Sequence, residues 1–232
     1  MIGPVNQSAY DSVAGFAVKK CPAELFDLLD DLVSNHLKLQ RKIGLYSPDQ
    51  YVDLLDALNE SIIESRELRT LPKEVCKSAS SEIIGHLSQI MSKPKCLHNN
   101  DIYCRVVQAS KKETISVTHR DEYFHRITPG SKFGANEESI KMWITLFCPS
   151  ETALGVVPHS HKDYSHGNAT YQLEKGKLSF QTPHKCSDLT PITVKLGHCL
   201  IFPSMLIHGS WGEGDALDPL RISIEISPVL FK

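Results

Sequence analysis

The stretch Glu113-Thr-Ile-Ser-Val-Thr-His-Arg-Asp121 alternates as a β-strand does and carries two side chains that bind metals. Successive strand side chains point to opposite faces, so Ile115, Val117, His119 and Asp121 would share one face. His119 and Asp121 would then point the same way from the end of the strand or from the turn after it. An imidazole and a carboxylate at this spacing can bind one metal ion, with a third ligand from elsewhere in the chain.

Short β-branched and apolar runs continue on both sides of this stretch. Clusters of Gly, Pro, Asn, Asp and Ser separate them. Many short strands separated by turn residues are typical of a β-sandwich or barrel. The predicted strands cover residues 102–107, 114–118, 140–147, 155–157, 178–180, 191–194, 199–202 and 221–226.

The first 95 residues or so have the period of helices instead. Apolar residues recur at i, i+3, i+4 and i+7 from Leu25 to Leu32, as on the buried face of a helix. Three helices are predicted, over 23–44, from the capping-box sequence Ser47-Pro48-Asp49-Gln50 onward, and over 78–92. Helices followed by strands predict one domain over residues 1–232, in which a helical N-terminal layer (1–95) packs on a mainly β core (96–232).

The bulk composition excludes several classes of protein. The chain has 232 residues, 41% hydrophobic and 22% charged, with a net charge of −2, so it lacks the basic excess that nucleic-acid binding needs. No apolar run is long enough to cross a membrane, and the N-terminus does not have the pattern of a signal peptide. The seven cysteines are widely spaced without a CxxC motif, which indicates reduced thiols in a cytoplasmic protein.

Two further polar features lie near the C-terminus. The segment Leu200-Ile-Phe-Pro-Ser-Met-Leu-Ile-His208 leads from an apolar strand through a proline to a histidine. In the last predicted strand, Arg221, Ser223 and Glu225 share one face. An arginine and a serine on one face can bind a carboxylate, because the guanidinium offers a bidentate fork and the hydroxyl a further donor. An edge strand with a solvated polar face would show the same alternation.

Together these motifs resemble those of the phytanoyl-CoA dioxygenase family. Four motifs occur in the family's order: a His-x-Asp stretch, a Trp-x-x-Leu strand, a Pro-Gly-Ser-His-Lys turn, and a distal histidine followed by an arginine. They are His119-Arg-Asp121, Met142-Trp-Ile-Thr-Leu146, Pro158-His-Ser-His-Lys162, and His208 with Arg221 and Ser223. The resemblance spans about residues 113–228, half of the chain.

The resemblance implies a double-stranded β-helix, which is a cupin-like jelly roll, for the β core. It also implies an Fe(II)- and 2-oxoglutarate-dependent dioxygenase that uses O2. The implied iron ligands are His119, Asp121 and His208. The implied 2-oxoglutarate site has Arg221 on the far carboxylate, with Ser223 and Trp143 as neighbours. The carboxylate at the second ligand position favours hydroxylation, because halogenating relatives have a small residue there.

Other readings of the same residues stay open. His161-Lys-Asp163 is a second His-x-Asp, but it falls in the turn where the family has Ser-His-Lys. A cupin-type metal enzyme without 2-oxoglutarate would use His159, His161 and His208, although the glutamate expected soon after such a histidine pair is missing. A third alternative is a non-catalytic β-sandwich that binds a ligand. Glu225 and the histidine in place of the motif's glycine depart from the family pattern.

The expected substrate is a small polar or anionic molecule, because the loops between residues 119 and 186 are rich in basic and histidine side chains. These residues are Arg120, His125, Arg126, Lys132, His159, His161, His166 and His184. Ordinary surface residues would give the same composition. No nucleic-acid or membrane partner is expected.

Overall fold

The computed structural model describes residue 11 and the ranges 13–58, 71–92, 94–108, 118–121, 137–150, 152–162, 170–174, 177–181, 186–211 and 220–231. Its α-helices are α1 (Ala23–His36), α2 (Tyr51–Ala57) and α3 (Lys73–Leu87). Its strands are β1 (Ala17–Lys20), β2 (Pro94–Gln108), β3 (Glu137–Phe147), β4 (Thr152–Val156), β5 (Thr170–Glu174), β6 (Lys177–Gln181), β7 (Thr190–Thr193), β8 (His198–Pro203), β9 (His208–Ser210) and β10 (Leu220–Phe231).

The strands form antiparallel sheets. The large sheet has the order β1-β8-β3-β10-β2, and a smaller sheet has the order β7-β4-β9. Strands β5 and β6 form a separate antiparallel pair. Among the described elements, the architecture is therefore mainly β with flanking helices, as the sequence predicts.

Two apolar cores lie on opposite faces of the large sheet. On the outer face, the alternating isoleucines of β10 (Ile222, Ile224 and Ile226) pack in one cluster with the leucines of α1 and α3. On the inner face, Trp143 and Phe202 pack with residues of the smaller sheet. Because strand side chains alternate, the residues next to the isoleucines on β10 face the inside, between the two sheets.

The first helix is shorter than its apolar pattern predicts. It ends at His36, and Lys38 then adopts a positive φ of 57°, the left-handed conformation that stops a helix. A 3-10 turn, Ile43–Leu45, follows and is tied back to α1 by the buried Asp30. The carboxylate of Asp30 accepts hydrogen bonds from the backbone N–H groups of Ile43 and Gly44, both at 2.9 Å. Burial raises the pKa of Asp30 against the effect of these bonds.

The N-terminal part also contains a strand that the helical interpretation missed. Ala17–Lys20 form β1, which pairs with β8 at the edge of the large sheet, so residues 1–95 are not purely a helical layer. Most of the predicted strand over 114–118 and the predicted helix beyond residue 58 lie outside the described residues. The single-domain boundary of 1–232 stays a prediction. No disulfide links the six cysteines that the structure describes, and in the same ranges no helix is long and apolar enough to span a membrane.

Candidate metal centre

A backbone bridge brings the His-x-Asp stretch to the distal histidine. The N–H of His119 donates to the carbonyl of His208 at 2.8 Å, and the N–H of His208 donates to the carbonyl of His119 at 2.9 Å. Their ring centroids lie 4.5 Å apart. The close approach depends on Gly209, where a Cβ would lie 3.0 Å from the Cα of Thr118. Two histidines separated by almost ninety residues are thus fixed side by side by main-chain geometry.

The carboxylate of Asp121 completes a compact group. Its Oδ1 lies 3.7 Å from Nε2 of His119, and its Oδ2 lies 3.7 Å from Nε2 of His208. One ligand atom from each of the three buried residues lies within 4.8 Å of the others. Within the described ranges, this is the one group of three or more His, Cys, Asp or Glu side chains arranged to hold a metal ion. Two imidazoles and one carboxylate are the donor set of the facial triad that binds non-haem Fe(II).

The His208 imidazole is held in the form that binds a metal. Its Nδ1 lies 3.0 Å from the carbonyl oxygen of Leu206, so Nδ1 donates and the Nε2 lone pair faces Asp121. Burial lowers the pKa of His208 to about 4, against the opposing charge of Asp121. The ring is therefore neutral near pH 7, as a ligand must be.

Asp121 stays ionised although it is buried. Burial raises its pKa, but the positive charge of Lys141, together with the two histidines, outweighs that effect and holds the pKa of Asp121 well below its usual range. The Nζ of Lys141 lies 3.5 Å from Oδ2 of Asp121. The site thus presents an ionised carboxylate to a cation.

Glu225 forms its ion pairs with residues other than Arg221. The presence of Glu225 on the same strand face, which departs from the family pattern, therefore does not occupy Arg221. It shares a strand face with Arg221, yet it forms ion pairs with Arg105 and, at 3.6 Å, with Lys141. Burial raises the pKa of Glu225, and the charges of Arg105 and Lys141 more than reverse that shift, so the pKa is lowered.

Arg221 and Ser223 lie on the inner face of β10 beside the metal ligands. Arg221 is 5% exposed, and its Nη2 donates to Oγ of Ser210 at 3.2 Å. Ser210 and His208 are two residues apart on β9, so they share a face. Ser223 is fully buried, and its Oγ has no hydrogen-bond partner among the described residues. A buried hydroxyl in this state is available to donate a hydrogen bond to a bound molecule.

Trp143, the third residue predicted near the cosubstrate, belongs to the inner apolar cluster with Leu154, Val156 and Phe202. Its partner on β10 is Glu225, whereas Ser223 pairs with Thr145. The ring of Phe202 lies 4.7 Å from that of His208. These apolar side chains form a wall next to the metal ligands.

Sequence reasoning treated Ser160 only as part of the family turn and missed its contacts. Its carbonyl accepts a hydrogen bond from Nη2 of Arg120 at 2.9 Å, and its Oγ accepts one from the N–H of Ile207 at 2.9 Å. Arg120 lies between the ligands His119 and Asp121, and Ile207 precedes His208. One serine therefore braces both segments that carry the candidate ligands. The serine of the Pro-Gly-Ser-His-Lys turn was the sequence signal that could have pointed to this bracing role.

The histidine that replaces the motif's glycine keeps the glycine's conformation. His159 has a φ of 67°, in the left-handed region that favours glycine. Its N–H donates to the carbonyl of Ala14 at 3.1 Å, and its Nδ1 donates to the carbonyl of Val13 at 2.8 Å. The ring of His161 packs against Gly15, where a Cβ would lie 2.2 Å from Nδ1. Both histidines thus contact the N-terminal segment, and the described residues do not join them to His208 as the cupin-type alternative requires.

The remaining predicted substrate-loop residues cannot be placed in the same way. His125, Arg126, Lys132, His166 and His184, with Asp163 of the second His-x-Asp, lie outside the described residues.

Comparisons with known proteins identify the family and the fold of the chain. The family model described as phytanoyl-CoA dioxygenase (PhyH) matches residues 48–213, well over half of the chain. No curated protein matches the chain in sequence. EctD from S. alaskensis, solved with 2-oxoglutarate and 5-hydroxyectoine, is similar in structure with a TM-score of 0.55 at 16% identity, over 98% of this chain and 78% of that chain. EvdO2 from Micromonospora carbonacea var. aurantiaca, complexed with 2-oxoglutarate, gives a TM-score of 0.50 at 12% identity, over 94% of this chain and 87% of that chain. The predicted double-stranded β-helix fold is confirmed.

Proposed function

Because this chain belongs to the phytanoyl-CoA dioxygenase family, and is thus an oxygenase that uses iron and 2-oxoglutarate, we propose that it hydroxylates a C–H bond of a small polar metabolite. In this proposal His119, Asp121 and His208 are the iron ligands. The observation that carries it is the convergence of these three buried side chains within 4.8 Å.

The residues present fit both the metal and the cosubstrate. The triad supplies two imidazole nitrogens and one carboxylate oxygen, which suits Fe(II) and leaves positions open for other ligands. The buried Arg221 and the unsatisfied Oγ of Ser223 lie on one face, which suits a carboxylate that accepts several hydrogen bonds. When bound, Fe(II) and 2-oxoglutarate supply the oxidising chemistry, which couples reduction of O2 to release of succinate and CO2.

The side chains of the site would hold the cosubstrate, orient it and exclude water. Arg221 would bind the far carboxylate of 2-oxoglutarate through its guanidinium fork, and Ser223 would donate a further hydrogen bond, with Trp143 as a neighbour. The apolar wall of Trp143 and Phe202 keeps water from the reacting atoms. Asp121 occupies the position that halogenating relatives leave open for chloride, so hydroxylation is the reaction we propose.

Charged side chains between the two sheets support a polar substrate. Arg105, Lys141 and Glu225 lie on the inner strand faces near the ligands, where an alkyl substrate would require an apolar lining. We propose a small polar molecule as the partner of this site and the cytoplasm as its location. A screen of polar metabolites for succinate release, with and without each compound, identifies the substrate.

The experiment that tests the proposal is an anaerobic titration of the protein with Fe(II) and 2-oxoglutarate. The wild-type chain should show a weak visible charge-transfer band. His119→Ala should abolish the band, and Arg221→Ala should weaken it by raising the Kd for 2-oxoglutarate. His198→Ala and Arg41→Ala, which change residues outside the site, are the matched controls and should keep the band. A wild-type protein without the band, or a His119→Ala variant with a normal band, would contradict the proposal.

A further inference from the structure

Four charged side chains of alternating sign form a row of ion pairs between the two sheets. The row ends at Asp121, one of the proposed metal ligands. Arg105 on β2 pairs with Glu225 on β10, Glu225 lies 3.6 Å from Nζ of Lys141 on β3, and Lys141 lies 3.5 Å from Oδ2 of Asp121. Lys141 is only 8% exposed. Its neighbour on β8 is Phe202, the residue whose ring packs on His208. The ammonium group therefore lies beside the metal ligands.

A buried lysine is costly unless its charge is compensated, and here two carboxylates compensate it. Arg105 in turn compensates Glu225, so Glu225 does not need the whole charge of Lys141. This arrangement leaves Lys141 available to Asp121 and fixes its position from the opposite side.

The contact between Lys141 and Asp121 can influence how the carboxylate coordinates a metal. A carboxylate can bind a metal through one oxygen, taking one coordination position, or through both, taking two. An iron site that must also accept 2-oxoglutarate through two atoms, and O2, needs its three remaining positions open. The ammonium group of Lys141, 3.5 Å from Oδ2 of Asp121, favours the first mode, because its positive charge attracts that oxygen and competes with the metal for it.

Resting on the function proposed above, we propose that Lys141 is a positioning residue: its pairing with Oδ2 restricts Asp121 to coordination through one oxygen and so keeps a position open for 2-oxoglutarate. Glu225 holds Lys141 in place from the other side. The prediction is specific, because removal of Lys141 should impair binding of 2-oxoglutarate and not binding of the metal. A lysine with a merely structural role would affect neither, or would affect folding alone.

The test uses Co2+ as a probe that does not react with O2, followed by 2-oxoglutarate. Lys141→Met removes the charge and keeps an unbranched side chain, Lys141→Arg restores the charge, and Lys195→Met is a matched control at an exposed lysine. The visible d–d absorption of Co2+ reports coordination, and its change on addition of 2-oxoglutarate gives the Kd for the cosubstrate. Urea denaturation of each variant reports folding.

We expect Lys141→Met to bind Co2+ at least as tightly as the wild type, with an altered d–d spectrum, and to bind 2-oxoglutarate about tenfold more weakly or worse. Lys141→Arg should recover most of that affinity, and Lys195→Met should match the wild type. An unchanged Kd for 2-oxoglutarate in Lys141→Met, or loss of Co2+ binding from a folded variant, would overturn the inference. A wild-type chain that binds no Co2+ would overturn the proposed function itself. If Lys141→Met does not fold, Glu225→Gln gives the same test, with a smaller rise in Kd expected and an unchanged Kd again refuting the role.

Discussion

The pH dependence of stability is a quantitative consequence of the buried His208. Its pKa is about 4 in the folded protein and near 6.5 when the side chain is in water. Between these values the unfolded chain binds a proton that the folded chain does not, so the free energy of unfolding falls as the pH falls. From about pH 7 to about pH 5 this histidine alone should reduce the stability of the metal-free protein by about 2 kcal/mol. Asp121 and Glu225 have lowered pKa values, so they stay ionised in the folded protein across this range and their stability contributions are lost only at lower pH.

Urea denaturation at the two pH values measures the effect after a chelator has removed bound metal. His208→Gln cannot be protonated, so its stability should fall by about 2 kcal/mol less than that of the wild type over the same interval. His198→Gln, which removes a half-buried imidazole and leaves His208 in place, is the control and should follow the wild type. If His208→Gln and the wild type lose the same stability between the two pH values, the account of a neutral, buried ligand is refuted.

Three further substitutions test the supports of the fold and the site. Asp30→Ala should reduce stability by about 1–3 kcal/mol in urea denaturation, because the N–H of Gly44 loses its acceptor and the N–H of Ile43 keeps only Oγ of Ser34; a loss under about 1 kcal/mol would contradict this role. Ser160→Ala should cost about 1–3 kcal/mol and weaken Co2+ binding, because the N–H of Ile207 loses its partner next to a ligand; unchanged Co2+ affinity would show that the brace is not needed. Gly209→Ala should weaken Co2+ binding by pushing β9 away from Thr118, which a titration of the d–d band measures, and wild-type affinity would contradict the close approach.

Much of the fold and the shape of the site could be predicted because they follow from local periods. Alternation in β10 placed Ile222, Ile224 and Ile226 on one face and Arg221 with Ser223 on the other. The structure has this alternation and adds the direction, because the isoleucines pack with the helices. The spacing of His119 and Asp121 predicted that their side chains would meet. The family motifs supplied His208, because nothing in the local sequence says that β9 forms a bridge with the segment that carries His119.

The missed features depend on contacts between distant segments. The strand Ala17–Lys20 has no long apolar alternation and is defined by its partner β8. Glu225 looked like a competitor for Arg221, because a period of two cannot show that Arg105 and Lys141 lie on the adjacent strands. The role of Ser160 likewise depends on contacts with residues 40 and 47 positions away in the sequence.

The most direct test is the position of iron in crystals grown anaerobically with Fe(II) and 2-oxoglutarate, located by anomalous diffraction at the iron edge. We expect one iron bonded to His119, Asp121 and His208, chelated by 2-oxoglutarate whose far carboxylate meets Arg221 and Ser223. Iron bound elsewhere, or 2-oxoglutarate bound away from Arg221, would contradict the account.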